Sequence, residues 1–138
     1  MTTFVSRWQM TVEAGHCDPA GVVFAKRLFE YFDTGTWSLF EAALGVKRQD
    51  FPARSVILPL VDVSLECQRP VKFGDVIEIV SRVAEFRRSS FQVEHRITVG
   101  DELAVTGTET RVWAERDKRK PERISARTIP DDVIARFS

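Results

Sequence analysis

The strongest constraint on this chain is one apolar stripe of helical period, preceded by one run of alternating residues and followed by four more. Leu28, Phe29, Phe32, Thr36, Trp37, Phe40 and Leu44 recur at steps of three, four and one. That spacing predicts a helix of about five turns with a wide buried face. Gly45 is a natural stop in left-handed geometry. Gly35 falls inside the helix at a cost of roughly 1 kcal/mol relative to Ala; it marks either close approach of another backbone or simple tolerance. Ahead of the helix, Trp8, Met10 and Val12 alternate with polar residues, the period of a strand with one buried face. Behind it, Val56 to Arg69 reads as a strand, with Val61, Val63, Leu65 and Cys67 on one face. Pro70 and the Phe73-Gly74-Asp75 turn end it. Val76 to Phe86, then Phe91 to Val99, follow, and Gly100-Asp101 makes a hairpin turn. Leu103, Val105, Gly107, Glu109, Arg111 and Trp113 share a face of the last long strand. Lys47 to Ser55, with Pro52, is polar and irregular. The tail from Arg116 is charged, broken by Pro121 and Pro130, with a short helical turn expected over 131–137.

Strand, helix, then four strands on short links favours antiparallel pairing and an α+β class, one helix lying on one sheet of about five strands. The whole chain, 1–138, reads as a single domain. Hydrophobic residues make up 43%, with ten Phe and three Trp for core bulk. One helix covers little of such a sheet, so the remaining surface and the edges need another chain. Lys plus Arg equals Asp plus Glu at 20 each. No global field therefore draws in nucleic acid or membranes, and a strongly anionic ligand needs a local basic patch. Cys17 and Cys67, far apart in sequence, fit reduced thiols of a cytoplasmic protein, with a single bridge as the open alternative. Met1-Thr2-Thr3-Phe4 has no charged or apolar leader character, and no apolar run approaches membrane-spanning length.

The chemistry concentrates between Gly15 and Ala25. Pro19 removes a donor and biases Asp18 away from helical geometry, and Gly21 permits conformations other residues resist. Asp18 is thus expected on a tight bend leading into the helix, where backbone N–H groups lack partners and carry partial positive charge. A carboxylate facing such an end suits acyl chemistry: the acid attacks or activates water, and an amide holds the oxyanion. Asp-Pro also marks ordinary turns. His16, two residues from Asp18, points the same way on an extended segment and is a candidate to orient the acid or a water; a satisfied core or surface histidine is the alternative. Cys17 faces opposite to His16, which places the two poorly as a nucleophilic pair. Two His and two Cys show no metal-ligand spacing. His95 lies on the apolar face of its strand and reads as a core residue. No glycine-rich phosphate loop is present.

The run His16-Cys17-Asp18-Pro19-Ala20-Gly21-Val22-Val23-Phe24, with Asp33 in the helix and Arg88-Ser89-Ser90-Phe91 later, resembles the signature of the 4-hydroxybenzoyl-CoA thioesterase family. The likeness extends in element order over roughly residues 6 to 115. It implies a hotdog fold, in which the sheet wraps the helix, and hydrolysis of an acyl-CoA to acid and coenzyme A, aromatic acyl groups being favoured over short or medium aliphatic ones. It implies Asp18 as nucleophile or general base and the backbone N–H of Ala25 as oxyanion donor. Many relatives carry His or Tyr where this chain has Ala25, so the backbone role stays and a side-chain role is lost. Phe24 is expected beside the acyl group. Asp33 is open between contact with the distal end of that group and a solvent-facing or subunit-bridging role. Tyr31, Phe32 and Trp37 line an aromatic slot or, more simply, the core.

Coenzyme A carries about four negative charges and needs surface cations. The resemblance assigns its nucleotide end to Arg87, Arg88, Ser89 and Ser90; a solvated turn is the alternative. Lys118-Arg119-Lys120 reads as a solvated tail. No metal or redox cofactor is implied, coenzyme A being part of the substrate. The expected assembly is a homo-oligomer, a dimer or a dimer of dimers (a homotetramer), with sites shared between subunits. Two rivals stand beside this reading. One is a hydratase or dehydratase on the same fold, which needs a His–acid pair. The other is a non-catalytic module binding acyl-CoA or an acyl carrier protein.

Overall fold

The computed structural model describes residues 3–50 and 55–138. Strand β1 (Val5–Thr11) leads through a 3-10 turn into helix α1 (Ala25–Leu44). The strands β2 (Val56–Ile57), β3 (Leu60–Cys67), β4 (Val76–Phe86), β5 (Ser90–Val99) and β6 (Glu102–Val112) follow. The chain then forms β7 (Ala114–Arg116), β8 (Ile124–Ala126) and helix α2 (Asp131–Ala135). Five strands make one antiparallel sheet in the order β1-β4-β5-β6-β3, and β2-β7-β8 make a small second one. The sheet's inner face holds α1, which is the expected hotdog arrangement. β1 and β3 are the edges.

The periodicity places α1 well. Its twenty residues span about 30 Å and bury Leu28, Tyr31, Phe32, Thr36, Leu39, Phe40 and Ala43. Gly45 ends it at φ +67, its N–H bonding the Glu41 carbonyl. Phe29 departs from the expected stripe: it is 36% exposed, because the buried face runs through Tyr31, Gly35 and Leu39 instead. Gly35 is not an idle residue. A Cβ there would lie 2.6 Å from Ser81 Oγ and 3.1 Å from His95 Nδ1, so the helix presses on sheet side chains rather than on backbone.

Three other sequence expectations need correction. The run Val56 to Arg69 is two strands: Pro59 cannot donate to a ladder, and β2 leaves the main sheet to pair with β7. Leu103 is off the inner face. An extra residue, Ala104, sits in β6 between the Ile97–Val105 and Thr98–Leu103 pairs, and such a bulge reverses the side on which earlier residues point. The tail from Arg116 is more than a charged coil: β8 pairs with β7, and Ile129 and Phe137 are buried. The irregular 47–55 segment begins with a 3-10 turn at Arg48–Asp50; Pro52 lies outside the described residues.

The core has two apolar halves. One surrounds the C-terminal half of α1 with Trp37, Phe40, Phe91, Trp113 and Phe137. The other surrounds its N-terminal half with Leu28, Tyr31, Phe32, Ile77, Ile97 and Val105. Between them lies a polar layer. Ser6, Ser81, His95 and Gly107 stand side by side across β1, β4, β5 and β6, and Thr36 meets this row from the helix. Gly107 is small because the Phe32 ring occupies the space a Cβ would take.

Candidate active site

The Asp18 bend is a three-residue hairpin loop. Cys17 and Val23 pair as an antiparallel bridge, Asp18 N–H bonds the Val22 carbonyl at 2.8 Å, and Gly21 N–H bonds the Asp18 carbonyl at 2.9 Å. Gly21 has φ +80, the left-handed position such a loop demands. Pro19 suits the first of the three loop positions because its φ is preset. The Asp18 carboxylate contributes to the bend: Oδ1 accepts from the amides of Ala20 at 2.9 Å and Val22 at 3.1 Å. Oδ2 has no hydrogen-bond partner among the described residues, and the residue is half-buried. The turn role and the availability of a second oxygen thus coexist in one side chain.

From this loop the chain enters α1 without a cap. Phe24 occupies the N-cap position at φ −61 and ψ 142, offers no side-chain bond, and is 49% exposed. Arg27 N–H and Leu28 N–H bond the Phe24 carbonyl, whereas the amides of Ala25 and Lys26 have no partner among the described residues. No acidic residue stands in the first turn. Gly15, Phe24, Ala25, Lys26 and Arg27 line an open cavity of about 510 Å³ there. The loop is tied to the helix start by Phe24 N–H bonding the His16 carbonyl at 3.2 Å. A carboxylate oxygen and free amides at the positive end of a long helix are therefore carried on one short segment, the combination that acyl transfer needs.

His16 engages the helix rather than Asp18. Its Nδ1 lies 2.8 Å from the Tyr31 hydroxyl, and its Nε2 lies 3.8 Å from Glu13. Burial, then the nearby Cys17, pushes the Tyr31 phenol up to about 12, so its proton stays on. Cys17 and Cys67 are both free thiols.

Asp33 sits on α1 with Oδ1 2.8 Å from Arg111 and Oδ2 3.4 Å from Arg48. Arg111 also donates to Glu109 at 2.7 Å and to the Leu58 carbonyl at 2.9 Å. Glu109 receives His95 Nε2 at 2.9 Å and the Thr36 hydroxyl, and His95 Nδ1 meets Ser81 at 2.7 Å. Burial opposes the charge on Glu109, yet hydrogen bonds from His95 and Arg111 and the Arg111 charge hold its carboxyl down at about 2. Burial likewise opposes the Arg111 charge, and the Glu109 and Asp33 carboxylates raise its pKa overall. Sequence reasoning set Glu109 and Arg111 on one face but missed this network, whose other side chains come from α1, β4 and β5. A His–acid pair does exist in His95–Glu109, but both side chains are about 1% exposed or less beneath the helix. Substrate has no access to it, which removes the feature a hydratase would use.

Arg87, Arg88, Ser89 and Ser90 form the β4–β5 turn, closed by Arg87 N–H on the Ser90 carbonyl. Both arginines are exposed. Arg87 pairs with Glu85, and Arg88 Nε lies 3.2 Å from Thr128. Within one chain this turn is remote from Asp18. The Asp18 loop pairs with residues 71–73, before the start of β4, and the turn follows the end of that eleven-residue strand. At about 3.3 Å per residue the two are roughly 30 Å apart. Lys118, Arg119 and Lys120 lie exposed between β7 and β8, their turn held by Asp117.

With this geometry established, comparison with known proteins is informative. Residues 12–137 match the model of the thioesterase-like superfamily. A 4-hydroxybenzoyl-CoA thioesterase of Pseudomonas sp. (strain CBS-3) is 31% identical over 133 residues, covering 91% of this chain and 92% of that one. A 1,4-dihydroxy-2-naphthoyl-CoA hydrolase of Synechococcus elongatus is 29% identical, covering 86% and 90%. The crystal structure of a mutant 4-hydroxybenzoyl CoA thioesterase complexed with 4-hydroxybenzoyl CoA superposes with a TM-score of 0.86 at 28% identity, covering 99% of this chain and 100% of that one. The chain belongs to the thioesterase-like superfamily. It is an enzyme, a thioester hydrolase.

Proposed function

We propose that this protein hydrolyses an acyl-CoA to the free acid and coenzyme A, with aromatic acyl groups of the hydroxybenzoyl kind preferred. The observation that carries the reading is the uncapped start of α1, with the Ala25 amide free and the Asp18 carboxylate on the loop bonded to that start. The thioester carbonyl receives the Ala25 N–H, which stabilises negative charge as it develops on oxygen. Asp18, through Oδ2, attacks the acyl carbon, breaking the C–S bond to release coenzyme A as the thiolate and leaving a mixed anhydride that water hydrolyses, or it takes a proton from a water that attacks the carbon and expels the same thiolate. Phe24 stands exposed beside the same cavity and covers the acyl group, and Asp33 meets its distal end. The two relatives described above act on aromatic acyl-CoAs by name, which supports the substrate class. Arg87, Arg88, Ser89 and Ser90 bind the nucleotide end from a neighbouring subunit of a homo-oligomer, a dimer or a dimer of dimers, because their own chain holds them too far away. The reaction invokes no metal or redox cofactor. We place the protein in the cytoplasm, in keeping with its two free thiols.

The test is a hydrolysis screen over aromatic and aliphatic acyl-CoAs with wild type and Asp18→Asn. The variant is expected to lose roughly 10²- to 10⁴-fold in kcat while still binding coenzyme A. Hydrolysis of several acyl-CoAs at the original rate would remove Asp18 from the mechanism.

A further inference from the structure

We infer that Tyr31 and His16 form a strap that sets the catalytic carboxylate against the helix start, making Tyr31 a positioning residue for the reaction. The inference rests on the reading of Asp18 and the Ala25 amide given above.

The strap follows from three contacts made by one residue. The His16 ring reaches the Tyr31 hydroxyl at 2.8 Å, in the second turn of α1. The His16 carbonyl accepts the Phe24 amide at 3.2 Å, one residue before Ala25. The His16 amide bonds the Glu13 carbonyl at 3.0 Å, closing the 3-10 turn that precedes Asp18. His16 is therefore joined both to the segment bearing the carboxylate and to the segment bearing the amide donor. Its side chain anchors both to a buried residue of the helix. Tyr31 is 3% exposed and packs in the apolar half-core around Leu28 and Phe32. The Tyr31 phenol keeps its proton, so it can donate to the His16 ring, and the Glu13 carboxylate lies 3.8 Å from Nε2 on the other side of that ring.

Without the strap, Cys17 still packs on the apolar half-core, but no other side-chain hydrogen bond among the described residues joins the 14–17 segment to the body of the helix. The loop would keep its internal hairpin, and Asp18 would stay on its turn. What changes is the distance between carboxylate and amide. Displacements of about 1 Å cost up to roughly a hundredfold in rate. The loss falls on kcat, because neither Tyr31 nor His16 needs to touch the substrate.

The experiment compares Tyr31→Phe, His16→Ala, His16→Asn and the Tyr31→Phe/His16→Ala double variant with wild type and Asp18→Asn, in steady-state hydrolysis of 4-hydroxybenzoyl-CoA or the best substrate of the screen. Tyr31→Phe keeps the buried ring and deletes only the hydroxyl. It and His16→Ala are each expected to lower kcat roughly ten- to a hundredfold, with KM within about threefold. The double variant is expected to lose no more than the worse single one, since both break the same link. His16→Asn sets an amide oxygen where Nδ1 stood and recovers most of the turnover lost in His16→Ala. Backbone amide exchange over residues 14–24 should rise in Tyr31→Phe and fall back in His16→Asn. Unchanged kcat in both Tyr31→Phe and His16→Ala, with Asp18→Asn inactive, overturns the strap and leaves the catalytic acid standing. Full turnover in Asp18→Asn overturns both.

Discussion

Glu109 keeps a charge where water cannot reach it, and the acid sensitivity of the fold follows from that. Its carboxyl titrates near 4.5 in an unfolded chain and at about 2 in the fold. The contribution is therefore complete above the ordinary value and drains away as pH falls from about 4.5 towards 2, amounting to roughly 3 kcal/mol. Glu109→Gln should destabilise the protein by roughly 3–5 kcal/mol at pH 7, because Arg111 is then buried with one carboxylate partner fewer. Urea unfolding of the two proteins at pH 7 and pH 3 should show the gap narrowing in acid; a constant gap would mean the charge is not the stabilising element. Much of this residue-level detail was legible in sequence only as pattern. Alternation put His95, Glu109 and Arg111 on the inner face, and identified His95 as a core residue. It gave no sign that Thr36, Ser81 and Asp33 would meet them, because those partners lie 14 to 78 residues away in the chain. The Asp18 turn was different. The bonds that close it, from Asp18 to Ala20, Gly21 and Val22, are local, so Pro19 and Gly21 announced it.

Secondary elements were readable wherever one face is buried and the period is regular. α1 and the alternation of β1 and β5 are of this kind. β6 misled at its start because the bulge at Ala104 inverts alternation without a glycine or proline to mark it. β3 is an exposed edge whose pattern is shallow, so the break at Pro59 was read through. Gly35 gives the sharpest test at this scale. Alanine ordinarily stabilises a helix interior by about 1 kcal/mol over glycine. Here the added methyl meets Ser81 and His95, so Gly35→Ala should lower stability by about 1–3 kcal/mol. A rise in Tm on that substitution would show that the helix has room to lift from the polar layer.

At the scale of the whole molecule, the chain is short of partners. β3 is an open edge, with Leu60 and Val61 exposed at 47% and 64%, and the two ends of the proposed coenzyme A site cannot meet within one subunit. If the site is shared, mixing and co-refolding two impaired variants, Asp18→Asn and Arg87→Ala/Arg88→Ala, should restore part of the activity, since some sites then draw an intact half from each. No recovery would return the nucleotide end to residues of the same chain as Asp18. The arginine variant alone should bind coenzyme A more weakly, with the deficit largest at low salt. In the tail, the helical turn expected over 131–137 is present as α2, but the burial of Ile129 and Phe137 escaped sequence reading: they pack against residues distant in the chain, which a charged and proline-broken segment does not advertise. The bare N-cap at Phe24 sets a limit on engineering for heat resistance. Phe24→Asp would fasten the first turn and is expected to raise Tm, by about 1 kcal/mol of stability. The same carboxylate would park its negative charge on the amides that must greet the substrate's oxygen, so the hardier protein should also be the slower catalyst.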